Sequence, residues 1–421
     1  MTQRRSVSGG SGRAGRATGG SGRLRVVHVV SSLAAAAGGV ARAVADSAHA
    51  LARASPSIDV HVLSDDRGPF DFPWGDAPPE NLHVHLLPLG GKASRASVAY
   101  LALLRSLMTS GGGVEAQERT VVHLHGMWEP LLASAARSAR AAGVAYVCSI
   151  HGMLDPWSVS QRRLKKTIYF GLVEKRRLAS AAGLHFTAQA EAAKAASWLP
   201  EGPARLVIPV IMDLEPFRML PERSAAEGLF PAIPAGAPWV LFLSRIHEKK
   251  GLDLLIDAVA RLEDRSVQLV IAGAGDPDYE KLLRARAKEA GLEQRAHFVG
   301  LVRGATKVAL LRRADVLAIP TSQENFGIVF PEALACETPV LLTKDVDIHG
   351  ELLRANAATL IRRDPVDIAE KIAASLGDPA GSRRQGAAGR QWVMKTLAPE
   401  KIAERWIAAY EELSAAGLRS D

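Results

Sequence analysis

Short, almost uninterrupted apolar runs recur along this chain, each followed by an Ala- and Leu-rich stretch. That alternation constrains the fold more than any other feature. In the first half the runs are LRVVHVV (24–30), DVHVLS (59–64), HVHLLP (83–88), TVVHLHG (120–126), AYVCSIHG (145–152) and GLHFTA (183–188). In the second half they are WVLFLS (239–244), SVQLVIAG (266–273), AHFVG (296–300), DVLAIP (315–320), PVLLT (339–343) and ATLI (358–361). A strand that is apolar on both sides belongs to a parallel sheet covered by helices on both faces. Two such series predict two doubly wound α/β domains. The length agrees, because 421 residues exceed what one hydrophobic core supports. The helix expected after Lys250 carries Leu252, Leu255, Ile256, Val259 and Leu262 as one apolar stripe.

Composition sets the boundaries. Residues 1–23 are basic, rich in Gly and Ser, and lack the apolar segment of a secretory signal, so they are expected to be disordered. The first domain is expected over 24–219 and the second over 239–395, with the Pro-rich 220–238 as a linker. Residues 396–421 are expected to form a helix packing back toward the first domain. No apolar run approaches the ~20 residues that span a bilayer. Cys148 and Cys336 lie inside apolar runs and fit a reducing, cytoplasmic setting better than a disulfide framework. The net charge of +8 alone suggests nucleic acid, but the 5% of aromatic residues are not interleaved with the basic runs and no recognition motif is present. Nucleic acid is therefore not an expected partner. Oligomeric state is left open.

Three stretches carry the chemistry. SSLAAAAGGVARAV (31–44) opens a helix near Val40, where Gly38 and Gly39 let the backbone approach a ligand and the helix start receives an anion. It is not the G-x-G-x-x-G fingerprint, which argues against an NAD site. In SRIHEKKG (244–251), Arg245 and Lys250 follow the carboxyl end of a strand, where doubly wound sheets bind ligands. Arginine grips phosphate in bidentate fashion and lysine adds a point charge. In QENFGIVFPE (323–332), Pro331 fits only a first helical turn, so a helix is predicted to begin near Val329 or Phe330. Glu324 then lies in the preceding loop and Glu332 in the first turn. Amides of Phe326, Gly327 and Ile328 between them suit a diphosphate, with a carboxylate reaching hydroxyl groups on each side. A diphosphate flanked by hydroxyl-rich groups is a nucleotide sugar. Taken singly, each stretch also reads as ordinary turn chemistry.

Together with IAGAGDPDYEKLL and HFVGLV, these stretches resemble the retaining glycosyltransferases of family 4, whose GT-B fold sets two Rossmann-like domains facing across a cleft. The resemblance runs from about residue 24 to the C-terminus and is more specific in the second half. It implies transfer of a hexose from a UDP- or GDP-linked sugar to a saccharide acceptor carried on a lipid, in polysaccharide synthesis, with no cofactor and no metal. Arg245 and Lys250 would hold the diphosphate, Glu332 the ribose, and Glu324 the transferred sugar. Asn325, Phe326, Gly327 and Ile328 would complete the cradle, and Leu301 and Val302 would line the base. From the first domain, Gly38 and Gly39 would approach the diphosphate, and His151, in CSIHGMLDPWS, the donor sugar. His125 and Trp128, in VVHLHGMWEP, lie where an acceptor is expected, although core packing equally accounts for Trp128.

The resemblance also implies work at the cytoplasmic face of the inner membrane. The basic stretch QRRLKKTIYFGLVEKRR (161–177) would meet the anionic surface; a solvated helix packing its apolar side inward is the other reading. Two departures stand out. VIPVIMDLEPF (207–217) lacks the Asn-Gly that members often carry, and the D-x-D pairs Asp276/Asp278 and Asp345/Asp347, read here as turn acids, lack a third ligand. A nucleotide-sugar epimerase would share the diphosphate contacts and differ by converting the donor without an acceptor.

Overall fold

The computed structural model describes residues 23–416 apart from 35–36, 66, 69, 71, 73, 75–76, 89–97 and 110–118, so nearly all of the 1–23 segment lies outside the described residues. The first sheet contains β1 (Leu24–Val29), β2 (Ile58–Asp65), β3 (Leu82–Leu87), β4 (Arg119–His125), β5 (Ala145–Ser149), β6 (Gly183–Phe186) and β7 (Ala204–Val207). The second contains β8 (Trp239–Leu243), β9 (Gln268–Ala272), β10 (Ala296–Gly300), β11 (Val316–Ile319), β12 (Val340–Leu342) and β13 (Ala358–Leu360). Their orders are β3-β2-β1-β4-β5-β6-β7 and β10-β9-β8-β11-β12-β13. The pairings between these strands are parallel. Each sheet is thus a Rossmann-like doubly wound sheet whose winding reverses once, between β1 and β4 and between β8 and β11. At such a reversal the loops diverge and leave a crevice at the strands' carboxyl ends.

Burial explains which runs became strands. β2 is buried along its whole length and β1 everywhere but Arg25. The sequence reading missed β7: its first two residues are exposed and its last two half-buried, so this edge strand carries little apolar signal. The helix Leu252–Arg261 buries Leu252, Leu255, Ile256 and Val259, the expected stripe.

Residues 220–238 differ from a free linker. They form the helix Ala225–Leu229 and bury Ala226 and Ile233 against the second domain. Arg223 reaches Asp315 at 2.7 Å and Glu227 meets Arg313 at 2.8 Å. The prolines mark turns in a docked segment. The chain crosses between domains earlier, over 208–219, where Ile208, Val210, Ile211, Met212, Leu214 and Phe217 are buried. It crosses back after the helix Pro379–Thr396. The helix Pro399–Ala416 then lies on the helix Gly39–Ala54 and β4, with Trp406 and Tyr410 buried there.

Candidate active site

The two reversals face each other. On the second domain, β8 ends at Leu243 and a short turn, Glu248–Lys250, leads through Gly251 into the helix Leu252–Arg261. Gly251 has φ +70°, and a Cβ there would stand 2.4 Å from the Pro320 carbonyl oxygen, so the turn needs glycine to lie against the loop after β11. Ser322 N donates to Lys249 O at 2.7 Å, tying the two loops together. Through this contact the buried Lys250 ammonium pairs with the Glu324 carboxylate. Arg245 is exposed and has no ionic partner among the described residues.

The helix after the second loop spans Val329–Ala335, as Pro331 predicts. Gly327 has φ +67°, and a Cβ there would lie 2.8 Å from both Glu324 Cγ and the Phe330 ring. That glycine lets the turn close between Glu324 and the first turn of the helix that carries Glu332. The Phe326 side chain is buried, which leaves the backbone of this turn, rather than the ring, to meet a ligand. Glu332, in the first turn, accepts from Lys307 Nζ at 2.6 Å.

A 340 Å³ cleft joins the domains here. Gly38, Gly39 and Arg42 form one wall, and Val302, Gly304, Lys307, Ile328 and Glu332 the other. The helix Gly39–Ala54 opens on this cleft, with Gly38 at φ +82° before it. A larger cavity of about 1250 Å³ lies elsewhere on the second domain, but its Arg223, Glu227, Arg313 and Asp315 pair with one another.

Beside the cleft lies a buried array of histidines at the carboxyl ends of β1, β4, β5 and β6. His28 Nδ1 is 2.9 Å from His125 Nε2, and His125 Nδ1 is 3.2 Å from His151 Nε2. His28 Nε2 has no partner. A buried N–H without an acceptor costs more than a bare lone pair. That asymmetry directs the chain: His28 donates to His125, His125 donates to His151, and His151 keeps its proton on Nδ1. A second chain runs from Tyr410 to His123 Nδ1 (2.6 Å), from His123 Nε2 to Ser149 Oγ (2.7 Å), from Ser149 to His185 Nδ1 (2.6 Å) and from His185 Nε2 to Ile208 O (2.8 Å). Burial pushes His151 down to about 4 and His28 and His185 to about 3, so all three are neutral at pH 7. His151 sits at φ +51°, a left-handed conformation rare for a residue with a Cβ.

The domains also touch directly. Lys194, on the helix Gln189–Ala195, lies between Asp155 of its own domain and Asp347 of the other. Asn325 lies against Gly152, with Asn325 Cβ 3.0 Å from where a Gly152 Cβ would stand. With its amide oriented to satisfy its neighbours, Asn325 donates to Glu191 and Asp347 and accepts from Thr187. Burial raises Asp347 to about 6 despite Lys194.

Measured against expectation, the structure gathers Gly38, Gly39, Val302, Ile328 and Glu332 on one cleft and pairs Lys250 with Glu324. Asn325 spans the domain contact, and Leu301 is 67% exposed beside Val302 of the cleft. His125 is not a surface group facing an acceptor: both its ring nitrogens are engaged inside the array. Trp128 packs near Tyr169 and Phe170, with Lys166 over its ring. Asp276 caps the helix Pro277–Glu289, the turn role expected of it, whereas Asp347 is buried in the domain contact. Sequence reasoning missed Lys307, Arg42 and His28. Only His28 left a signal, a polar residue in the middle of an apolar strand.

Comparison with known proteins gives two family matches. Residues 38–210 match the glycosyl transferase 4-like domain, and residues 230–392 match glycosyl transferases group 1. The 2-deoxystreptamine glucosyltransferase of Streptomyces kanamyceticus is 28% identical over 301 residues, 69% of this chain and 76% of that protein. The phosphatidyl-myo-inositol mannosyltransferase of Mycobacterium leprae is 35% identical over 186 residues, 43% of this chain and 48% of that protein. Several other curated relatives are likewise spanned over about half their length or less. Among solved structures, HepE of Anabaena in complex with UDP superposes with a TM-score of 0.73 at 18% identity, covering 93% of this chain and 100% of that one.

Proposed function

Because the chain belongs to the family 4 glycosyltransferases of GT-B architecture, we propose that it moves a hexose, with retention, from a UDP- or GDP-linked sugar to a saccharide acceptor carried on a lipid. The observation that carries this reading is the pairing at the two reversals. The Gly38–Gly39 helix start faces a wall bearing Lys307 and Glu332, beside the Lys250–Glu324 pair. Cations and a helix start suit a diphosphate, and the two carboxylates suit the hydroxyls on either side of it.

In this reading Arg245 and Lys250 hold the diphosphate and stabilise the charge that develops as it departs. Glu332 takes the ribose, exchanging Lys307 for hydroxyl donors. Glu324, released from Lys250 when phosphate arrives, turns to the sugar. Neutral His151, its tautomer set by His125, offers its Nδ1 proton to a sugar oxygen. Those cations supply the charge that a divalent metal would otherwise bring, so transfer is metal-independent in this account. A uridine base is favoured because the structurally similar HepE was solved with UDP.

No helix among the described residues is long and apolar enough to cross a membrane. Contact with a lipid-linked acceptor is supported instead by Leu164, Ile168 and Leu172, which recur every fourth residue and are 74%, 54% and 78% exposed among basic groups. The first test is thermal melting with UDP, GDP, ADP and their sugar conjugates. A ligand at a hundred times its Kd adds about 2.7 kcal/mol to folded-state stability, so one base should raise the midpoint distinctly. Donor consumption is then followed with and without saccharide acceptors. Absence of any nucleotide shift, or conversion of the donor to its epimer without an acceptor, overturns the reading.

A further inference from the structure

Near the amino-terminal ends of β2 and β3, away from the cleft, four side chains converge on one face of the first sheet. The strand register sets His61 beside His83, so Asp59 and His61 of β2 face His83 and His85 of β3. Asp59 and His61 are buried, while the His83 side chain is 42% exposed and leaves a path to solvent. Asp59 Oδ1 lies 3.1 Å from His83 Nε2, and Oδ2 lies 3.1 Å from His61 Nε2. One ligand atom from each of Asp59, His61 and His83 lies within 4.8 Å of the other two.

Two features separate this cluster from an ordinary polar network. His61 is 93% buried, yet its Nε2 makes no hydrogen bond; it is near the carboxylate without the angle of one. Its other nitrogen is engaged, with Nδ1 3.0 Å from His85 Nε2. Donation from Nδ1–H to His85 leaves a lone pair on Nε2, aimed among a carboxylate and a second imidazole. Lone pair and carboxylate repel unless a cation lies between them. An outer imidazole fixing the tautomer is how proteins orient a metal-binding histidine. Arg25 Nε holds Asp59 Oδ2 at 3.0 Å, while Oδ1 faces His83 with the half-exposed Arg23 guanidinium at 3.9 Å.

We propose that Asp59, His61 and His83 form a binding site for a zinc-class divalent cation, with His85 orienting His61. Two imidazoles and one carboxylate are a tetrahedral zinc donor set with a fourth position open to water. The other histidine group, His28, His123 and His125, is less suited. Both nitrogens of His123 and of His125 are engaged, and no carboxylate balances the ion's charge. A cation at the Asp59 site clips the edge strand β3 to β2 and plays no part in transfer.

The test uses the full chain without a histidine tag, stripped with EDTA, given one equivalent of zinc and passed through gel filtration. One zinc per chain should be retained and should raise the melting midpoint. Cobalt in its place should give the intense visible absorption of a tetrahedral site. His83→Asn, at a half-exposed position, should weaken zinc binding at least about tenfold and abolish the midpoint shift, while melting like the parent in EDTA. Asp59→Asn is the second variant. Zinc retained equally by both variants, no zinc retained by the parent, or a six-coordinate cobalt spectrum each overturns the site.

Discussion

Lys194 Nζ lies 2.7 Å from Asp347 Oδ1 across the two domains and 3.0 Å from Asp155 Oδ2 within its own. One ammonium thus bridges two acids on opposite sides of the opening. Its side chain is 31% exposed, so its worth falls between the surface and buried limits, about 1–3 kcal/mol. Lys194→Met should lower the melting midpoint and weaken donor binding, because the closed arrangement is no longer held. Thermal melting and nucleotide titration check this. Donor affinity unchanged alongside a lowered midpoint would show that the bridge serves stability alone.

The two glutamates should separate kinetically. Glu332→Gln should weaken binding of the free nucleotide by about 10–100-fold, the range for a hydrogen bond to a charged group. Glu324→Gln should leave that affinity within about twofold and lower kcat by about 10²–10³. Isothermal titration with the nucleotide and single-turnover assays distinguish them. Equal losses of nucleotide affinity refute the division.

On the proposed membrane-facing surface, Leu164, Ile168 and Leu172 stand exposed among the charges. Arg162, Arg163, Lys165, Lys175 and Arg176 are exposed, whereas Lys166 Nζ donates to Ser158 O at 2.5 Å and Arg177 is buried against Glu174. The three around Leu164, at about 1 kcal/mol each, amount to roughly a hundredfold in vesicle affinity. Sedimentation with anionic vesicles, using a chain lacking basic residues 1–23, should show that loss when Arg162, Arg163 and Lys165 become Gln. Changing Leu164, Ile168 and Leu172 to Ser should have an effect of similar size. Binding unaffected by both sets rejects this face.

The buried histidines predict acid lability. Burial places the folded-state values of His28, His151 and His185 well below the ordinary 6.5. The unfolded chain therefore binds the protons first. Stability is complete above about pH 6.5 and falls as pH drops toward 4, by about 2 kcal/mol per histidine between 6.5 and 5. Urea denaturation at pH 7.5, 6 and 5 should show a steep decline in the midpoint. A midpoint constant over that range would mean that the array takes up protons without loss.

The sequence made the local features plain and left the long-range ones hidden. Continuous apolar runs announced β1, β2, β8 and β9, because both faces of those strands are buried, whereas the half-exposed edge β7 gave no such pattern. Gly327 and Pro331 fixed where the helix at Val329 begins. Lys307 and Glu332 are 25 positions apart, and Lys194 and Asp347 meet only because the domains adjoin. No spacing rule announces either pair. Arg177 was misleading for another reason. The π-turn Phe170–Glu174 adds a residue to the helix and rotates the turn beyond it, so Arg177 points inward to Glu174 at 2.6 Å and to the Gly126 carbonyl at 3.1 Å.

The chain passes between its two domains at 208–219 and again after Thr396, where the helix Pro399–Ala416 returns to cover β4. A body tethered by one strand can swivel in any sense. A second tether, set apart from the first, suppresses the twist and leaves a bend about the line joining them. Opening about that line would carry Gly39 and Glu332 apart along a single arc, as the covers of a book part around their spine. A cut between residues 397 and 398 would release the swivel, and the facing walls would lose their common register even with every side chain of the cleft intact.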